Sequence, residues 1–494
     1  MTPKHPLLNP QYHPWLLALA VILSRIPFIF DGYGHEEDSY GLVVNAWQMH
    51  ESGHYLASRF PGHPFQEYLY SFIWNQPDWL WNSFSLLFSI VAVLAFHQAM
   101  KKTGIGFPIE TSLMFAFTPM FFIAGTYTID YAWSLAFVLL SFWALVNRKY
   151  ALCGFFLGMA VGCRITSGIF IIPWMMLVWQ RLDFDQWRNY ILKIGIPFVV
   201  ISILWYIPAF LQYGTGFFDY SDQFPYPSIP KVIYKATIGV FGLLGIAALV
   251  FAKFRWLTTK EKSAVNPPQI FSPQRITWAI IVIIVLHIIS YLRLPQKAGY
   301  MLAIVPFVMM LVTMYSNRNT IRIITMIFLP APFIVGMNIT DDLRGSGATG
   351  ASVKFNISGQ EISIDAARGP ALAEQQKRRN KMEYVDRVCD YLDTTLNDQQ
   401  LIICGWWYNE IIVEQRLRPT GSDTSEYWFS CWGGNGNTVL VFYATCDELQ
   451  KEVNTEDEFH GFMKIYYLPE QNLYNDQMFN QSCTDQIAEP FPVK

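Results

Sequence analysis

Long apolar runs recur along the first two-thirds of this chain, and they constrain its fold more than any motif does. Segments near 14–30, 79–100, 107–125, 128–147, 150–163, 166–180, 190–210, 233–252, 276–293, 299–316 and 320–337 each read as a membrane helix, eleven in all. About 20 apolar residues suffice to span a bilayer. Only 15% of the 494 residues are charged and 52% are hydrophobic, a balance that excludes an ordinary soluble globule. The halves 150–163 and 166–180 are short, and the polar break at Cys163–Gly168 reads as a tight turn at the membrane surface. The first run lacks a small-residue cleavage site and is expected to be an uncleaved membrane helix.

Lysine and arginine set the orientation. Lys4, Lys101, Lys102, Arg148, Lys149, Arg181, Arg188, Lys253, Arg255, Lys260, Lys262, Arg275, Arg318 and Arg322 fall in one set of loops, whereas the opposite set holds only Arg59, Arg164, Lys231, Arg293 and Lys297, with Arg25 and Lys235 near helix ends. The N-terminus is therefore expected in the cytoplasm and everything after 337 outside. The first outer loop, 31–78, is long and carries two segments with helical spacing, Tyr40–Glu51 (Leu42, Val43, Ala46, Trp47) and Phe65–Trp74. Both are expected to lie on the outer membrane surface. Ser58–Pro64, rich in Pro and Gly, reads as a rigid turn.

Composition changes at about 338. Residues 338–369, with Gly345, Gly347 and Gly350, read as a linker, and 370–494 as a soluble α/β domain. That domain is expected to hold a long helix over 370–397. Strands are expected at Leu401–Cys404, Val439–Tyr443 and Met463–Tyr467, and further helices at Trp407–Gln415, Asp447–Val453 and Pro469–Met478. Of the seven cysteines, Cys389, Cys404, Cys431, Cys446 and Cys483 lie in this tail without metal-ligand spacing, and an outer location would allow disulfides among them.

Against this background three groups of polar residues stand out. Glu36, Glu37 and Asp38 form an acidic triplet just past the first helix. Such a carboxylate can serve as a general base, although Asp38 or Ser39 would also make an ordinary helix N-cap. Asp130 is the only acid between Glu110 and Asp183 and sits at the outer start of a helix, where a dipole-stabilised acid is the plainer reading. Arg59, His63, Arg164, Arg293 and Lys297 are sparse outer-face cations, suited either to a lipid phosphate or to snorkelling among headgroups. Lys297 is followed by Tyr300 at the start of a helix.

The order of local patterns resembles the GT-C superfamily of integral-membrane glycosyltransferases, in particular its protein mannosyltransferase and aminoarabinose transferase-like members. Ser24-Arg25-Ile26-Pro27-Phe28 ends the first helix, the acidic triplet and Tyr40 follow, and Gly53-His54-Tyr55 leads to Arg59-Phe60-Pro61-Gly62-His63-Pro64. Asp130, then Gly162-Cys163-Arg164-Ile165-Thr166-Ser167-Gly168, then Leu294-Pro295-Gln296-Lys297-Ala298-Gly299-Tyr300 through Pro306 complete the series. The resemblance covers roughly 14–337 and implies a GT-C-like polytopic α-helical membrane domain over 1–337. It further implies inverting transfer from a polyprenyl-phosphate-linked sugar donor to a glycan, lipid or protein acceptor, on the periplasmic face of a bacterial inner membrane. Asp38 or Glu37 would be the base, and Asp130 a further catalytic carboxylate. Arg59, Arg164 and Lys297 would take the donor phosphate with help from Tyr300, while Glu36, His63 and Arg293 would lie nearby. The triplet replaces the family's usual acidic pair, which leaves open which carboxylate is the base; the spacing Glu36 to Asp38 would also allow a divalent metal, but no cofactor is expected. Two other readings are a transporter or flippase of lipid-linked sugars, which predicts mid-helix charges and inverted repeats, and a membrane-anchored glycan-binding assembly protein acting through its tail.

Overall fold

A computed structural model of the protein describes residues 11–179, 184–218, 226–258, 270–339, 351–357, 360–395, 400–404, 408–417, 428–429 and 438–442. The chain divides into two compact units. The first comprises Met1–Tyr33, Asn45–Leu343 and Ala348–Gln375, and the second Gly34–Val44, Arg344–Gly347 and Gln376–Lys494.

The helices run α1 His13–Arg25, α2 Glu37–Ser52, α3 Pro64–Phe72, α4 Asp78–Thr103, α5 Pro108–Ala116, α6 Pro119–Ala124, α7 Tyr131–Val146, α8 Tyr150–Cys163, α9 Ile171–Val178 and α10 Phe184–Tyr213. They continue with α11 Ile229–Ala236, α12 Ile238–Thr258, α13 Pro273–Arg293, α14 Val305–Met314, α15 Arg318–Phe328, α16 Pro370–Thr395 and α17 Tyr408–Leu417. The sequence predicts eleven spans; among the described residues α4, α10, α12 and α13 are long and apolar enough to cross a membrane alone, and five shorter apolar helical stretches accompany them. Proline explains two departures. The run 107–125 is split between α5 and α6 just before Pro119, and the run 320–337 stops as a helix at Phe328, ahead of Pro330 and Pro332.

In the first unit α7 packs between α4 and α8, and α8 lies against α10. The α8–α10 approach depends on glycine: a Cβ at Gly154 would sit 2.0 Å from the Ile194 carbonyl oxygen. The other side of α10 exposes Ile196, Val199, Ile203 and Ile207, as a lipid-facing surface does. α4 also fixes the polar turns. Asn82 Nδ2 donates to the Ile29 and Gly32 carbonyls, 2.9 Å each, and its Oδ1 accepts from Thr128 Oγ1 at 2.9 Å. Asp78 accepts from Gly32 N at 2.8 Å, and Thr128 N donates to Tyr33 O at 2.8 Å. These bonds hold the segment that ends at Asp130.

The two stretches expected to lie on the membrane surface instead bury their apolar sides in protein. Leu42, Val43, Ala46 and Trp47 are all buried, as are Glu67 and Tyr70 on α3. The expected linker 338–369 contains strands. β1 (Gly336–Asn338) pairs antiparallel with β3 (Gln360–Asp365), which pairs with β2 (Ser352–Ile357).

The second unit contains the start of α2, most of α16, α17 and a parallel sheet in the order β5 (Trp428–Phe429), β4 (Gln400–Cys404), β6 (Thr438–Phe442). The predicted strands at 401–404 and 439–443 and the helices near 370–397 and 407–415 thus correspond to elements of the backbone. Met463–Tyr467, Asp447–Val453, Pro469–Met478, Cys431, Cys446 and Cys483 lie outside the described residues. Cys153 and Cys163 are free and buried, and Cys389 is buried.

Candidate functional site

The site in the first unit is built on a turn, a helix start and a helix break. The turn Arg59–Gly62 is closed by Gly62 N donating to Arg59 O at 2.7 Å and contains a cis Phe60–Pro61 bond. Gly62 has φ +93°, and a Cβ there would meet Tyr55 Oη at 2.4 Å, so only glycine fits. α3 starts at Pro64, a residue suited to a first helical position. Asp130 immediately precedes α7, and Arg164 separates α8 from the 3₁₀ turn Ile165–Phe170.

These three places converge on Asp130. Its carboxylate is fully buried and accepts from Arg59 Nη2 through Oδ1 and from Arg164 Nη1 through Oδ2, the latter at 2.7 Å. The guanidinium side chains retain 23% and 18% exposure, so each keeps a face open to a ligand. One buried carboxylate thus fixes two guanidiniums from distant segments. Arg164 is further held by the rings of Tyr300 and Tyr131, 4.5 and 4.9 Å from its Cζ. Gly299 makes room for this clamp, because a Cβ there would lie 2.2 Å from the Tyr131 ring.

His63 completes the group as a neutral imidazole. Nδ1 is 2.7 Å from Cys163 O, which can only accept, so Nδ1 carries the proton; Nε2 then accepts from Arg59 Nε at 2.8 Å. This tautomer is assigned from the hydrogen-bond network. Burial lowers the His63 pKa, helped by the Arg59 and Arg164 charges and opposed by Asp130 and Glu67. The 3.6 Å approach of Nδ1 to Asp130 is therefore not an ion pair.

Glu67 organises the turn from behind. Fully buried on α3, it accepts from Tyr55 Oη (2.6 Å), Ser58 N and Oγ (2.7 Å each) and His63 N (3.0 Å). Burial and the Glu67 charge push the Tyr55 phenol up, so it remains a donor. The sequence reading missed Glu67. The signal was there: Glu67 shares the i, i+3, i+4 stripe with Tyr70 and Ser71, all buried, which marks an acid on the inward side of its helix.

On the far side of Arg164 lies a cavity of ≈ 20 Å³ bounded by Tyr131, Ser134, Thr166, Ser167, His287 and Tyr300. It is large enough for about one water. Ser134 and Ser167 hydroxyls meet 2.5 Å apart on its wall.

Lys297 is the half-buried residue preceding the 3₁₀ segment Ala298–Ile304, with Tyr300 N donating to its carbonyl at 3.3 Å. Arg293 is exposed at the end of α13. Glu36, Glu37 and Asp38 belong to the second unit, at the N-terminal end of α2, where the helix dipole favours acids. Glu37 is exposed, and Glu36 and Asp38 are half-buried. Among the described residues no set of three or more His, Cys, Asp or Glu side chains is arranged to hold a metal ion.

Neither a family model nor a curated protein matches this sequence. Solved structures do match by fold. ArnT from Cupriavidus metallidurans bound to undecaprenyl phosphate aligns over 94% of each chain at 10% identity with a TM-score of 0.55. Its apo form aligns over 93% of each chain at 11% identity and 0.51. An Archaeoglobus fulgidus oligosaccharyltransferase tethered with an acceptor peptide aligns at 10% identity and 0.42, over 86% of this chain and 64% of that one. Nearly the whole chain therefore shares the fold of these ArnT structures, and four of its described helices are long and apolar enough to cross a membrane.

Proposed function

We propose that this protein is a GT-C glycosyltransferase that moves a sugar from a polyprenyl-phosphate donor to a hydroxyl of a glycan, lipid or protein acceptor, with inversion. One observation carries the reading: Asp130 fixes two partly exposed guanidiniums side by side, and a guanidinium is the group suited to grip a lipid phosphate. It is supported by a fold shared with an ArnT that was solved bound to undecaprenyl phosphate.

In this reading Arg59 and Arg164 grip the donor phosphate, with Lys297 and Tyr300 as further contacts. Asp130 orients the two arginines and does not itself move a proton. A carboxylate of the 36–38 triplet, Asp38 first and Glu37 next, removes the acceptor proton as the acceptor oxygen attacks the anomeric carbon. The bond from that carbon to the phosphate oxygen breaks, and the guanidiniums stabilise the departing phosphate. These groups suffice without a cofactor. The lysine and arginine asymmetry supports a cytoplasmic N-terminus and chemistry on the opposite face, which in a bacterial inner membrane is the periplasmic one.

Binding of undecaprenyl phosphate to the purified protein tests the phosphate site. Arg59→Gln and Arg164→Gln should each weaken it by roughly 10- to 100-fold, the scale of one charge-assisted hydrogen bond. Turnover of a polyprenyl-phosphate sugar tests the base: wild-type rates in both Asp38→Asn and Glu37→Gln would remove that assignment.

A further inference from the structure

The second unit joins two distant pieces of sequence, Gly34–Val44 and the chain from Gln376 onward. The acidic triplet therefore folds with the C-terminal domain. The link between them is specific. Lys381 on α16 is 7% exposed and forms an ion pair with the fully buried Glu410 of α17. Its Nζ also donates to His35 O at 2.8 Å and lies 5.9 Å from the Tyr40 ring centroid. Lys381 thus touches the residue before the triplet and a residue after it. The same strap continues on either side. Tyr40, fully buried, donates to Met382 Sδ, and Gly41 faces Asn409 Nδ2 at an ordinary 3.6 Å from where a Cβ would be.

Burying a lysine–glutamate pair is a poor way to gain stability, because desolvation consumes most of the attraction. It is a good way to hold an ammonium at one point, and here that point is a main-chain carbonyl next to three carboxylates. We propose that the C-terminal domain is a positioning device for the acidic turn, with Lys381, oriented by Glu410, as the positioning residue that fixes residues 35–40. The catalytic consequence rests on the glycosyltransferase reading above; the structural one does not.

Hydrogen–deuterium exchange of the full-length protein tests it, comparing wild type with K381M/E410L, in which apolar side chains replace the whole pair and leave no buried charge. Exchange of peptides covering 34–44 should rise at least tenfold, the scale of one hydrogen bond to a charged group, while peptides of α4 and α7 remain unchanged. E410Q retains the Lys381 donor and should fall between the two. If K381M/E410L does not fold, Lys381→Gln is read the same way. With a polyprenyl-phosphate sugar, kcat should fall by up to about 10²-fold at unchanged donor KM, as expected for a misplaced base. Unchanged exchange over 34–44 in a folded variant overturns the inference. If instead exchange rises but both Asp38→Asn and Glu37→Gln stay active, the strap stands and the assigned base falls.

Discussion

Replacing Asp130 with Asn should cost this protein much of its stability. The carboxylate is fully buried and accepts charge-assisted hydrogen bonds from two arginines on segments 71 and 34 residues away. Each such bond contributes about 1.5–3 kcal/mol, and removing one partner of a buried ionic group costs about 3–5 kcal/mol because the others remain charged. Asn retains the shape and one acceptor, so the lower end, about 3 kcal/mol, is expected, which corresponds to roughly a hundredfold faster unfolding if the group forms late in folding. The assay is the rate of thermal inactivation of purified wild type, Asp130→Asn, Arg59→Gln and the double variant. The double variant should be less destabilised than the two single effects added together, with a coupling of about 0.5–3 kcal/mol. Phosphate-lipid binding should be weak in all three variants. Wild-type thermal stability in Asp130→Asn would refute the argument, since the group would then not be a load shared by three segments.

Further outcomes follow from the same geometry. Gly299→Ala forces the Tyr131 ring away and should cost about 1–3 kcal/mol by overpacking, with undecaprenyl phosphate binding reduced because Arg164 loses an aromatic wall; a melting curve and a binding isotherm check both. Glu67→Gln exchanges an acceptor oxygen for an amide donor facing Tyr55 and His63, and should destabilise by about 1–3 kcal/mol in the same melting assay. His63 is neutral when folded and has a lowered pKa, so between that value and the unfolded value of about 6.5 the unfolded state binds more protons and stability rises with pH. Stability should therefore decline as the solution is acidified below about 6.5, and His63→Gln, which still accepts from Arg59, should flatten the acid limb of a stability-versus-pH curve.

Much of the site was legible as residues and little of it as contacts. Arg59, Asp130 and Arg164 stand out because a charged residue beside a membrane helix is rare, and His63 and Tyr300 lie close to such charges in the sequence. Their convergence is tertiary: nothing in the spacing of 59, 130 and 164 says that one carboxylate holds both guanidiniums. Asp130, read from its position as a helix-dipole acid or a catalytic one, is also the carboxylate that two arginines share. Glu67 was hidden because its helix was expected on a membrane surface, where an acid would simply be solvated. Lys381 and Glu410 carry no motif of their own, and only the packing of Gly34–Val44 with the C-terminal chain gives them a target.

The sequence by itself determined what local physics controls. Apolar runs placed the helices, prolines split or ended two of them, and Gly62 marked a turn. Tertiary structure decided where the charges are neutralised. Hydropathy and backbone preference act within a few residues of the chain, whereas a buried charge must find its partner wherever the fold provides one. That requirement joined Asp130 to Arg59 and Arg164 across three segments, and Lys381 to both Glu410 and the backbone of His35.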